Sequence, residues 1–173
     1  MAKNIWFISD HHLSHAKILT FKDKHDCLIR PEFETVEEMN SLILELHNQT
    51  VKPEDEVYFL GDVLWNKEEA WKTLGKMNGK LYLAPGNHDN VPDLVREGRF
   101  RDVRLWYRFT VEGKKLLACH TPLHEIDLIR CTINVHGHLH EKNMNDPRYI
   151  NVCVEQLGYQ PIHLEDLVAL AGE

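Results

Sequence analysis

Five short apolar runs in this chain stop at residues able to hold a metal or move a proton. "NIWFIS" runs into Asp10-His11-His12, "EVYFL" into Gly61-Asp62, and "KLYLAP" into Gly86-Asn87-His88-Asp89. "KLLAC" runs into His120, and "CTINV" into His136-Gly137-His138-Leu139-His140. Unbroken apolar runs of this length suit strands covered on both faces of a sheet. In layered α/β folds ligands gather outside the carboxyl ends of the strands, so the five ends can deliver their polar residues to one crevice. Solvated surface residues would show no such placement.

Helical patterns fall between the runs. "TVEEMNSLILELHNQ" opens with Thr35 and Glu38 at capping-box spacing and continues with Met39, Leu42, Ile43 and Leu46 at helical intervals. "NKEEAWKTLGKM", "VPDLVREG" and "LEDLVALAG" predict three more helices, and "NVCVE", with Asn151, predicts a late strand. The stretch 22–34 is weakly patterned and reads as a surface loop, with Arg30 solvated or reaching towards a phosphate. At 173 residues the chain suits a single domain, 1–173, around one core.

Composition narrows the class. No apolar run approaches the ~20 residues of a membrane helix. "MAKNIWFISD" has neither a charged leader nor a small-residue cleavage site, which points to the cytoplasm. Cys27, Cys119, Cys131 and Cys153 form no CxxC pair and read as buried free thiols. A net charge of -7 without a Lys/Arg block argues against capture of long nucleic acid or of an anionic membrane, but permits a small anion at a local positive centre.

The tract "INVHGHLHE" leaves three readings open: a surface accident, a buried polar cluster, or part of a metal site completed from elsewhere. The ordered series "DHH", "GD", "GNHD", "CH" and "GHLH" resembles the pattern of the calcineurin-like metallophosphoesterase superfamily, D-x-H, G-D, G-N-H-D/E, H and G-H-x-H. The blocks span Asp10 to His140. "SDHHLSHAKILTF" is also similar to the N-terminal segment of its small bacterial and phage members.

The resemblance implies an α/β (α+β) fold of two mixed β-sheets packed as a sandwich and flanked by helices. It implies two divalent ions, one held by Asp10, His12 and His140, the other by Asn87, His120 and His138, with Asp62 shared. Mixed imidazole and oxygen ligands suit Mn first, with Fe, Ni or Zn as alternatives. Against four positive charges the set offers two carboxylates, and a phosphoester can fill the surplus. Paired ions ~3.5 to 4 Å apart clamp phosphoryl oxygens and lower the pKa of a bound water, which supplies hydroxide as nucleophile. His88 becomes the general acid, with Asp89 to orient its imidazole.

Gly61 and Gly86 sit where a strand must turn beside bulky ligands. His11 and His136 read as supports for the ligands, as substrate contacts or as plain packing, His15 as a residue that approaches the substrate or supports the ligands, and His25, His47 and His163 as surface or helix residues. No insertion is long enough to cap the site, so the crevice is expected to be open. The implied activity is hydrolysis of phosphodiesters or phosphomonoesters, with a small phosphoester, including nucleotides, as the partner. A nuclease or small-nucleotide hydrolase, acting on cyclic nucleotides or dinucleoside polyphosphates, is the first alternative. A noncatalytic binding module on the same fold is the second.

Overall fold

The structure, a computed structural model, describes residues 4–65, 68–130 and 133–171. Cys131 and the first residues of "NKEEAWKTLGKM" lie outside them. Strands β1 (Ile5–Ile8), β2 (Glu56–Phe59), β3 (Lys80–Leu83) and β4 (Phe100–Val103) are parallel neighbours. Strands β5 (Tyr107–Val111), β6 (Lys114–Ala118), β7 (Ile133–His136) and β8 (Tyr149–Asn151) form a second, mixed sheet. β9 (Ile162–His163) completes the first sheet by antiparallel pairing with β1, giving the order β4-β3-β2-β1-β9.

The helices are α1 (Val36–Thr50), α2 (Glu68–Gly75), α3 (Val91–Arg96), α4 (Val154–Leu157) and α5 (Leu164–Leu170). The capping box expected at Thr35 and Glu38 opens α1, with both reciprocal hydrogen bonds formed. β5 and β6 are joined through Glu112 and Gly113, both at positive φ, as a two-residue hairpin whose twist matches the strands requires.

Alternation along the first sheet sorts its side chains into two layers. Ile8, Val57, Phe59, Leu81 and Leu83 pack with Met39 and Ile43 of α1, Leu74 of α2 and Leu94 of α3. Phe7 and Tyr58 point the other way, towards Leu116, Ile133 and Val135 of the second sheet and Leu167 of α5. One core was expected, and the apolar side chains instead divide into two clusters, because the first sheet is covered on both faces. Sandwich packing also lines up the carboxyl ends of β1, β2, β3, β6 and β7 where the two sheets meet.

Two expectations need correction. The stretch 22–34 is loop, but Arg30 within it is fully buried. Cys27 is exposed, whereas Cys119 and Cys153 are buried as expected.

His47, read as a surface or helix residue, is helical and completely buried. Its ring packs edge-on against Phe59, and its Nε2–H donates to the Asn78 carbonyl at 2.9 Å. Burial lowers its pKa to about 4, although the Asn78 bond opposes the shift. The unfolded chain therefore binds a proton below the ordinary value of 6.5 that the folded chain refuses until about 4. Stability falls as pH drops through that window, by on the order of 3 kcal/mol. His47→Gln should reduce the difference in urea-unfolding free energy between about pH 7 and about pH 4.5 by about 2 kcal/mol. An equal acid loss in both proteins would assign the sensitivity to other groups.

Candidate metal centre

The loops leaving the strands turn sharply. Asp10 (φ 59), His12 (φ 50), Asp62 (φ 50), His138 (φ 70) and His140 (φ 50) all occupy the left-handed region. Non-glycine residues enter it at a cost, and a concentration of them marks places where the surrounding structure over-determines the backbone. The loops are tied across one another: Asp10 N–H donates to Gly61 O at 3.0 Å, His12 N–H to Asp62 O at 3.0 Å, and Gly137 N–H to His120 O at 2.8 Å. Gly61 and Gly86 are required by this crossing. A Cβ on Gly61 would lie 2.5 Å from His120 Nδ1, and one on Gly86 would strike the Asp62 carboxylate.

Two clusters of metal-binding atoms result, Asp10 with His12 and His140, and Asp62 with His120 and His138. In each, the candidate ligand atoms lie within 4.8 Å of one another. Asp10 Oδ2 is taken up by the Ser9 hydroxyl, by His138 N–H at 2.8 Å and by the Cys153 thiol at 3.2 Å. Its Oδ1 and His12 Nε2 are buried without a hydrogen-bond partner among the described residues, 3.9 Å apart. His140 Nε2 stands 3.8 Å from the same Oδ1.

In the second cluster, His120 Nε2 is 3.0 Å from Asn87 Oδ1, 3.2 Å from His138 Nδ1 and 3.5 Å from Asp62 Oδ2. His120 donates its Nδ1–H to Leu60 O at 2.8 Å, so its Nε2 carries a lone pair towards those acceptors. Converging lone pairs beside partnerless buried atoms fit two divalent ions, and the imidazole, carboxylate and amide-oxygen donors suit Mn, Fe, Ni or Zn.

Asp62 lies between the clusters. Its Oδ1 accepts from His88 N–H at 2.9 Å, while Oδ2 stands 3.8 Å from His12 Nε2 and 3.5 Å from His120 Nε2. One oxygen, rather than one each, therefore faces both clusters.

The imidazoles are held in register from behind. His140 Nδ1 bonds Glu155 Oε1 at 2.9 Å, and Glu155 is paired with Arg30 at 2.7 Å. Burial acts to lower the His140 pKa, but the bond and charge of Glu155, with Asp10, outweigh it and raise the value. Burial lowers the pKa of His12 far below the ordinary value, with Arg30 and neighbouring histidines adding to the effect, and desolvation lowers that of His138 against the opposing charges of Asp10 and Asp62, so both favour the neutral form that can ligate. His15 Nδ1 stands 3.3 Å from His12 Nδ1, and its ring stacks flat on Trp65 at 4.1 Å. Asn151 braces the last loop by donating to His140 O and Lys142 O.

The contacts decide between the roles read from the sequence and overturn some of them. His11 and His136 are completely buried and cannot meet a substrate. His11 stacks on Phe59 at 4.6 Å, and His136 donates to Gly137 O. Arg30 is neither solvated nor open to a phosphate, because its guanidinium is spent on Glu155 and on the carbonyls of Asp10 and His11. Asp89 does not reach for the His88 ring; its carboxylate accepts from the backbone N–H groups of Gly86, Asp62 and Val63 and locks two loops together. His88 itself is exposed, its ring centroid 5.6 Å from that of His12 and 5.7 Å from that of Trp65. Ser9, Cys153, Glu155 and Trp65 were missed. Glu155, an acidic residue inside the apolar stretch "NVCVEQL", carried the one readable signal.

Comparison with known proteins bears on the family and the fold. The family model for calcineurin-like phosphoesterases matches residues 3–166. An uncharacterised protein of Methanocaldococcus jannaschii is 32% identical over 178 residues, covering 97% of this chain and 91% of that protein. The crystal structure of a protein of unknown function from Aquifex aeolicus superposes with a TM-score of 0.77 at 26% identity, covering 98% of this chain and 100% of the other.

Proposed function

This chain belongs to the calcineurin-like phosphoesterase family, and on that premise we propose that it is a metal-dependent hydrolase of small phosphoesters, with diesters preferred. The observation that carries the proposal is the pair of ligand clusters facing a single carboxylate oxygen, Asp62 Oδ2, with an exposed imidazole beside them. Asp10, His12 and His140 would hold one ion, and Asn87, His120 and His138 the other. When bound, two such ions supply Lewis-acid charge for the phosphoryl oxygens and an activated water. Mn is the proposed occupant, and a cytoplasmic setting suits it; among the described residues no helix is long and apolar enough to cross a membrane.

The protein's own residues do the rest. Asp62 Oδ1 fixes the His88 backbone, and through it the loop that presents the imidazole. Asp89 pins the same loop at Gly86. His88, with its imidazole exposed at the mouth of the crevice, protonates the departing oxygen. The exposed positions of Asn87, His88 and His138 leave the crevice open enough for a phosphate with two substituents.

The experiment is to strip the protein, reload it with Mn, Fe, Ni or Zn, and assay aryl monoester, aryl diester and cyclic nucleotide substrates. Turnover with at least one metal is expected, and none with any would contradict the proposal. His88→Ala should cost about a hundredfold or more on alkyl esters with basic leaving groups, and far less on activated aryl esters that need little protonation. Equal losses on both would remove His88 from the acid role.

A further inference from the structure

Beside His88 lies a cavity of about 220 Å³ lined by Leu64, Trp65, Trp71, His88, Asn90 and Leu94. Building on the phosphoesterase reading, we propose that this cavity is the leaving-group subsite and that it selects a departing alcohol carrying one flat ring, either an aryl or a nucleoside group.

Its position decides what it receives. His88 lines this cavity and also stands beside His12 of the first cluster, so the ring would enter on the side from which the departing oxygen is protonated. A separate open groove of about 530 Å³, which includes Phe21, Lys22, His138, His140 and Lys142, borders the centre without touching His88. That groove suits the substituent that stays on the phosphoryl group.

The walls decide the chemistry. Trp65 and Trp71 offer two indoles, and Leu64 and Leu94 an apolar floor that is almost completely buried. Trp65 is held by flat stacking on His15, with 9° between the rings, and Leu64 is fixed by its bridge to Leu13. Two positioned aromatic faces with one polar edge, His88 and Asn90, favour a planar ring over a flexible chain. The volume admits one ring system and excludes a stacked polymer.

The test uses three diesters that share the retained group and differ in the leaving alcohol: phenol, a nucleoside, and a fluoroalkyl alcohol of acidity matched to phenol. Trp71→Leu keeps apolar packing but removes an aromatic face. It should lower kcat/KM on a ring-bearing ester, relative to the fluoroalkyl ester, by about tenfold. A drop confined to the phenyl or to the nucleoside ester supports the subsite and identifies its source. A ratio within about twofold of wild type on both would overturn it.

Leu94→Phe, which fills the cavity from α3, gives a second variant with the same expectation. Binding separates this proposal from the reading beneath it. Phenol and adenosine, titrated into metal-free protein, should quench tryptophan fluorescence saturably in wild type, and in Trp71→Leu with about tenfold weaker affinity and a smaller amplitude. Quenching without turnover on any ester would remove the phosphoesterase reading and leave the ring site standing, whereas turnover without ring dependence would do the reverse.

Discussion

Asp62→Ala is expected to lower the bound metal from two ions per chain to one or none and to depress turnover on every phosphoester by at least about a hundredfold, since even outer supporting groups of a metal site bring losses of about 10–100-fold. Asp62 is the only residue whose carboxylate is placed within 4 Å of imidazole nitrogens of both clusters among the described residues, through Oδ2. Its loss removes one of the two negative charges that offset the ions, and it strips Oδ1 from His88 N–H as well, freeing the loop that carries the proposed acid. Asp62→Asn should be the milder change, since it preserves that acceptor and removes only charge. Normal metal content with near-normal turnover in the alanine variant would exclude a shared ligand at this position.

The second large effect is expected at Arg30. This side chain is fully buried, yet it donates from Nε and Nη2 to Glu155 Oε1 at 2.8 and 2.7 Å, from Nη2 to Asp10 O at 2.6 Å and from Nη1 to His11 O at 3.0 Å. Arg30→Met leaves a buried carboxylate and two carbonyls short of donors, and should cost about 3–5 kcal/mol of stability. Burial acts to raise the Glu155 pKa, but Arg30 and His140 outweigh it and hold the value down. That pair therefore contributes stability at neutral pH which is lost as pH falls through the lowered value.

Replacing both partners, Arg30→Met with Glu155→Leu, should recover most of the melting temperature, because a buried ion pair is worth little more than a well-packed apolar pair. Metal affinity should not recover with it: without Glu155 the His140 ring loses the acceptor that fixes its Nδ1–H, at a cost of about 10–100-fold. If the double variant regains stability and binds metal as wild type does, the Arg30–Glu155 pair does not orient the centre.

What could be read from the sequence follows from how local each signal is. β1, β2, β3, β6 and β7 and the residues at their ends were visible because a strand buried on both faces writes an unbroken apolar run, and a change to Asp, Asn or His stands out against it. The α1 cap was visible because its partners are three residues apart. β4, β5 and β9 were not. "FRDV" and "YRFTV" alternate with charged or polar residues, as strands with one open face do, and β9 has only two residues.

The supports of the centre were hidden for a different reason. Arg30 and Glu155 are 125 residues apart, and Asp10 and Cys153 are 143 apart. Nothing near Arg30 marks it as buried, because its loop carries only the composition of a surface segment. Asp89 misled in the opposite way: adjacency to His88 suggested a partner, whereas the turn points its carboxylate back at the amides of Gly86, Asp62 and Val63.

The most direct test of the centre is anomalous diffraction from crystals of protein reconstituted with Mn, recorded on both sides of the metal's absorption edge. Two peaks per chain are expected, one against Asp10, His12 and His140 and one against Asn87, His120 and His138, with Asp62 Oδ2 between them. A single peak, or none beside these residues in fully reconstituted protein, would contradict a paired metal centre.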